Sequence, residues 1–165
     1  MFERFTESAK RVLFSSHQEA RALGSPFIRS EHILLGVIRS ADGVASAILA
    51  KAGLSTDAVK SEMPAPKPRI RDSLAIQFHQ ESKHVIQYAA EEADRLLHNY
   101  LLARHHPNVW TGSPPLDDSI GPEHLLLGLL REDKAEAALI LLRHGVTLEA
   151  ARSEVAQQGQ RGTSD

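Results

Sequence analysis

Cysteine is absent from the 165 residues, so the chain has no thiol nucleophile, no disulfide framework and no thiolate metal site. Nor is there an apolar run near the ~20 residues of a membrane span, and the N-terminal Met1-Phe2-Glu3-Arg4-Phe5-Thr6 carries charges where a signal peptide needs an apolar stretch. These absences predict a cytoplasmic protein with no membrane partner. Charge of one sign is missing too: 19 basic residues face 21 acidic ones, and a net charge of −2 offers no broad field for nucleic acid. Alternating strand patterns are lacking throughout. No Gly-x-x-x-x-Gly-Lys-Ser/Thr phosphate loop occurs, no His-Glu-x-x-His pattern and no strand-turn-helix nucleophile elbow frames a serine or histidine. A binding protein without cofactor or catalytic residue is therefore expected, rather than an enzyme.

What is present is a duplication. Ser30-Glu31-His32-Ile33-Leu34-Leu35-Gly36-Val37-Ile38-Arg39 returns as Pro122-Glu123-His124-Leu125-Leu126-Leu127-Gly128-Leu129-Leu130-Arg131. Before it, Phe5, Lys10, Val12, Glu19, Ala20 and Leu23 recur as Phe78, Lys83, Val85, Glu92, Ala93 and Leu96 at an offset of 73. From Ile28 onward the offset is 92, so the second copy carries 19 extra residues. They fall between Leu96 and Ile120, where His105-His106-Pro107, Trp110-Thr111-Gly112 and Pro114-Pro115 have the composition of a loop. A repeat this long does not fit common solenoids, and two equivalent helical bundles in one domain fit better.

Apolar residues at three, four and seven residue spacings from Thr6 to Leu23 predict an amphipathic helix, capped by Thr6 and stopped by Gly24. Ser30 is expected to cap the next helix with its hydroxyl, and Pro122 suits the first position of its twin. Gly53 and Gly145 are matched stops, followed by the matched caps Ser55 and Thr147. The expected fold is all-α: two tandem four-helix repeats related by a pseudo-twofold axis in one compact monomeric domain of about eight helices. Residues 1–63 form the first repeat and 64–72 a Pro-rich linker. The second repeat spans 73–156 with an inserted loop at about 97–119, and 157–165 form a disordered tail. With 42% hydrophobic residues the chain can bury roughly 70% of its unfolded surface. It needs no metal to hold its core.

Two four-helix repeats, opening with Phe2-Glu3-Arg4-Phe5-Thr6-Glu7 and carrying Glu-His-Ile/Leu-Leu-Leu-Gly twice, resemble the amino-terminal domain of the Clp ATPases, closest to the ClpC type. The resemblance implies a module that receives substrates and adaptors for a ring ATPase feeding the ClpP protease. Without a phosphate loop, this chain is expected to be a free-standing accessory. Its partners would be Clp ATPase or protease subunits, Clp substrates or degradation tags, and peptide ligands. ClpC-type domains can bind phosphoarginine, and the resemblance implies Glu31 with Thr6 in the first repeat and Glu123 near His79 in the second. A receptor that sequesters arginine-phosphorylated proteins without touching the protease is the alternative function. His79, Pro122 and Lys134-Ala135-Glu136 depart from the family pattern at the second site. Glu31 and Glu123 would also favour their helix dipoles with no ligand at all. Phe2 and Phe78 match positions that line an apolar peptide groove in some ClpC-type domains. His32 and His124 are expected as core histidines satisfied by backbone hydrogen bonds. His98, His105 and His106 lack a completing carboxylate for zinc or nickel, so no metal is expected, and Trp110 would fold the insertion back onto the body.

Overall fold

The computed structural model describes residues 2–40, 42–65, 75–103 and 118–158. Eight helices lie within them: α1 (Glu7–Ala22), α2 (Ser30–Ser40), α3 (Gly43–Lys51) and α4 (Thr56–Glu62), then α5 (Gln80–Ala103), α6 (Pro122–Arg131), α7 (Glu136–Arg143) and α8 (Leu148–Gln158). The fold is all-α, as the periodicity predicts. Thr6 Oγ1 accepts the Ala9 amide at 3.1 Å, and Ser55 and Thr147 cap α4 and α8 in the same way. Gly53 and Gly145 adopt φ of 73° and 79° after α3 and α7, a backbone conformation that side chains resist.

Four expectations from sequence need correction. Ser30 does not cap α2. It is the first helical residue, and its hydroxyl instead donates to Glu31 Oε2 and accepts the Ala137 amide of α7. The inserted segment does not begin as a loop, because α5 continues to Ala103. From Leu96 to Ala103 there is no glycine or proline to stop a helix, and Leu, Tyr and Ala sustain it. Residues 104–117, with His105, His106 and Trp110, lie outside the described residues, as do 66–72 of the linker, 73 and 74 of the second repeat and 159–165 of the tail, whose first two residues, 157 and 158, close α8 instead of being disordered. Strand is also present, though minimal: β1 (Phe27–Ile28) pairs in parallel with β2 (Gln77–Phe78), and Phe5 forms an isolated bridge with Ile120. Elements two residues long have no period to detect.

The core is built around α2 and α6, whose Ile33, Leu34, Leu35, Leu125, Leu126 and Leu129 are fully buried. Each of these helices packs along the first helix of its own half, α2 on α1 and α6 on α5, and the two meet each other in the middle. One apolar cluster therefore runs through both halves. A helix surrounded on all sides has no polar face to spare, which explains the near-continuous apolar runs of α2 and α6.

Each half is also pinned by a buried carboxylate. Glu19 of α1 meets Arg39 Nε at 2.6 Å and Lys60 Nζ at 3.1 Å; its counterpart Glu92 of α5 meets Arg152 at 2.6 Å, Arg131 at 3.3 Å and Arg95 at 3.4 Å. The first, second and fourth helices of each half converge on one acid. Burial opposes ionisation of Glu92, yet Arg152, with Arg95 and Arg131 behind it, outweighs burial and holds the carboxyl below its ordinary range. Glu92→Gln is expected to lower stability by about 2–3 kcal/mol, because three guanidinium groups lose their shared anion while remaining able to rehydrate. Urea denaturation at neutral pH measures this, and a midpoint equal to the parent's would show that the clamp contributes nothing.

Candidate functional site

The short β pairings cross between halves. His79 N, just before α5, donates to Ile28 O at 2.9 Å, and Ser82 Oγ donates to the same oxygen at 2.8 Å. At the other end Thr6 N donates to Ile120 O at 3.0 Å, and Ile120 N donates to Arg4 O at 2.7 Å. The start of each long helix is thereby tied to the start of the Glu-His helix belonging to the opposite half. This exchanges the pairing expected from sequence: His79 stands at the Glu31 end, and Thr6 is tied to the segment leading into Glu123. The reason is the pairing of the residues just before each Glu-His helix, since Ile28 pairs with Phe78 ahead of α5 and Ile120 with Phe5 ahead of α1.

At the first end Glu31 is buried, with Oε1 3.8 Å from Arg29 Nε, while Glu81 of α5 places Oε1 3.6 Å from the same nitrogen. Glu81 Oε1 also accepts the Ser30 amide at 3.2 Å, and His79 Nδ1 lies 3.6 Å from Glu81 Oε2. Burial pushes the Glu31 carboxyl above its ordinary range, and the Glu81 charge adds to the effect against the pull of its own backbone amide and Arg29. His32 is 2% exposed, and its Nδ1 accepts the Arg29 amide at 2.9 Å. Burial lowers its pKa to about 4, so the ring is neutral at pH 7 with its proton on Nε2.

Arg29, Glu31, His32 and Glu81 line a cavity of about 710 Å³. Its floor holds Glu31, His32 and Arg29; Glu81, Lys134 and Glu136 come from the second half, and Leu23, Phe27 and Met63 supply apolar wall. Phe27 is 42% exposed and meets the His79 ring edge-on at 5.8 Å. An aromatic side chain left half in water beside buried charge is suited to contact rather than to packing.

At the second end Glu123 is less enclosed, and its carboxylate folds back over Gly121 so closely that a Cβ there would fall 2.5 Å from Oε2. His124 Nδ1 accepts the Gly121 amide at 3.0 Å, repeating the His32 arrangement, but its Nε2 is sealed from solvent without a partner among the described residues. Both histidines thus sit in the core on backbone hydrogen bonds. Arg4 reaches Asp94 at 2.5 Å and Asp118 at 3.1 Å beside this end.

Phe2 meets Phe5 edge-on at 5.2 Å, and Phe78 lines a small apolar hollow with Gln77, Lys83 and Ile86. The described lining of that hollow does not include Phe2. Sequence reasoning missed Arg29, Phe27 and Glu81. Of these, Glu81 left a signal, because the matching position in the first copy is Ser8, and a carboxylate present in only one repeat is a departure from symmetry. Among the described residues no cluster of histidine and carboxylate could hold a metal, and no single helix is long and apolar enough to cross a membrane.

Comparison with known proteins agrees with this architecture. The profile of the Clp repeat (R) N-terminal domain matches residues 4–105 and 117–165. ClpC/MecB of Bacillus subtilis, a negative regulator of genetic competence, is 36% identical over 158 residues, which are 95% of this chain and 17% of that protein. The crystal structure of the ClpD N-terminal domain from Arabidopsis thaliana superposes with a TM-score of 0.58 at 26% identity, covering 93% of each chain. A ClpV N-domain in complex with a VipB peptide shares the fold alone, with a TM-score of 0.61 at 14% identity over 96% of this chain and 91% of that one. A family profile that covers nearly the whole chain, with a relative 36% identical along the same residues, settles the kinship: the chain belongs to the Clp repeat N-terminal domain family.

Proposed function

We propose that this chain is a recognition module that captures a peptide or unfolded protein segment in the cavity beside Glu31, and that it serves Clp-dependent proteolysis as an adaptor or substrate receptor. The cavity itself carries the reading: about 710 Å³ matches the size of a ligand pocket, and its walls combine exposed apolar side chains with a few converging charges. Its apolar part, with Phe27 at the rim, suits a hydrophobic side chain, and Glu31 and Glu81 suit a polar anchor. The apolar hollow at Phe78 offers a second contact for the same segment, with Phe2 as a further candidate. A fold of this kind holds a peptide in the ClpV N-domain, which supports the binding class and leaves the ligand to be found. Thr6 and Glu123 at the opposite end would form the weaker site, since the carboxylate of Glu123 is turned onto Gly121.

Fluorescence anisotropy with a labelled, reduced and carboxymethylated lactalbumin provides a permanently unfolded probe. Phe27→Ala is expected to weaken its binding about tenfold, in the range of an interface hot spot. Because Phe27 is well exposed, the fold should survive the change. Equal affinity of parent and variant would remove the cavity from the function.

A further inference from the structure

We propose that α7 joins two copies of this chain, against the monomer expected from sequence. The two α7 helices lie antiparallel, with Leu139 and Leu142 at the centre of the contact and Glu136 of each copy facing Arg143 of the other.

Between its two terminal charges, α7 reads Ala137-Ala138-Leu139-Ile140-Leu141-Leu142, apolar throughout. A helix that is apolar on every side is ordinarily enclosed by protein. Only half of α7 is. Ala137, Ala138, Ile140 and Leu141 are buried, and the helix packs on α2 and α6, while Leu139 is 40% and Leu142 51% exposed. Residues three apart share one face of a helix, so the two leucines form a single strip in water.

The duplication supplies an internal control. At the offset of 92 the matching positions in α3 are Ala47 and Ala50, which are exposed as well, and Val44 stands where α7 has Glu136. The fold builds α3 without leucine at those places, so Leu139 and Leu142 are not required for folding. An apolar strip carried by one half alone marks a contact surface.

The charges indicate what covers the strip. Glu136 opens it and Arg143 closes it, two turns apart on one face. Turned end for end, the same helix presents its base where the first presents its acid: positions 136 and 143 exchange places, and 139 and 142 exchange about nearly the same centre. The surface is therefore complementary to itself under a twofold axis, the commonest symmetry of protein assemblies. Arg143 is free to take part. Its Nε donates to Glu62 Oε2 at 3.0 Å, but Nη2 reaches its own Glu136 only at 3.3 Å, longer than the ~2.8 Å of a well-made charge-assisted bond. Glu62 is also held by His144 Nε2 at 2.5 Å, so Nη2 can turn to the other copy without releasing α4. Because Glu136 lines the cavity beside Glu31, the dimer carries a cavity on each side of one interface. Two such sites strengthen the hold on a segment long enough to reach both. The association itself does not depend on what the cavity binds.

Eight residues of helix make a contact only ~12 Å long, so the dimer is expected to be weak, with a dissociation constant of about 50 µM. Sedimentation velocity of the full chain from about 2 to about 300 µM, at ~0.15 M salt, tests this. The parent should pass from monomer to dimer across that range. Leu139→Ala with Leu142→Ala, which copies α3, should weaken the dimer at least tenfold and leave the melting temperature at the lowest concentration unchanged. Glu136→Arg and Arg143→Glu, each alone, place like charges at both ends of the contact and should stay monomeric; mixed in equal amounts they should associate, because acid again meets base at both ends. A parent that remains monomeric at the highest concentration overturns the proposal and leaves the strip to a different protein. A dimer untouched by the leucine substitutions also overturns it, since the interface then lies elsewhere. A mixture that fails to associate, although both variants melt cooperatively, overturns the antiparallel register. Should either charge variant fail to fold, the parent and the leucine variant decide.

Discussion

Gly128→Ala is expected to lower the melting temperature by roughly 5–10 °C, corresponding to about 2–4 kcal/mol in a domain of this size. A Cβ at Gly128 would fall on the carbonyl oxygen of Val85, well inside van der Waals contact, and 3.1 Å from the Ala89 amide. Both are backbone atoms of α5 and cannot swing aside. The only gain is the ~1 kcal/mol by which alanine favours a helix over glycine, and the clash exceeds it. Gly36 makes the matching approach to α1, where a Cβ would fall on Val12 O and 2.6 Å from Ser16 Oγ. Gly43→Ala is the comparison, since nothing lies within 4 Å there and only its φ of 71° resists a side chain; about 1 kcal/mol is expected. Differential scanning calorimetry separates the two. A melting temperature for the Gly128 variant at or above the parent's would mean that α5 and α6 are not in backbone contact.

Acidification should destabilise the protein between pH 6.5 and 4, with His32 contributing about 3 kcal/mol over that window. Burial lowers the folded-state pKa of His32 from 6.5 to about 4. As pH falls through 6.5 the unfolded chain takes up a proton that the native state refuses, so the stability present above 6.5 is lost progressively until pH 4. His124 is lowered by burial as well and adds in the same direction. Glu31 acts in the opposite sense. Its raised folded pKa means that the native state takes up its proton first, which offsets part of the loss towards the lower end of the window. Urea midpoints at pH 7, 6 and 5 read the slope. His32→Gln should flatten it, because glutamine at the third helical position can still accept the Arg29 amide but does not titrate. An equally steep profile in this variant would assign the pH dependence to other groups.

Glu31 and Glu123 were legible because they repeat, and a repeated acid at a helix start is visible in any self-comparison. Their surroundings were not. An offset of 73 or 92 relates equivalent positions and says nothing of whether a helix start meets its own repeat or the other one, so Thr6 and His79 were expected at the wrong ends. Glu81 escaped notice for a related reason. Its chemistry in this fold comes from an amide 51 positions away, and no local pattern encodes that approach.

The order of amphipathic helices, the caps at Thr6, Ser55 and Thr147 and the stops at Gly53 and Gly145 were determined by sequence alone, because side-chain period, hydroxyl capping and left-handed backbone are local properties. The crossed joining of the halves, the burial that makes His32 neutral and the two carboxylates facing one arginine were decided only in the tertiary structure. They depend on which surfaces exclude water together, and desolvation belongs to the packed whole rather than to any segment.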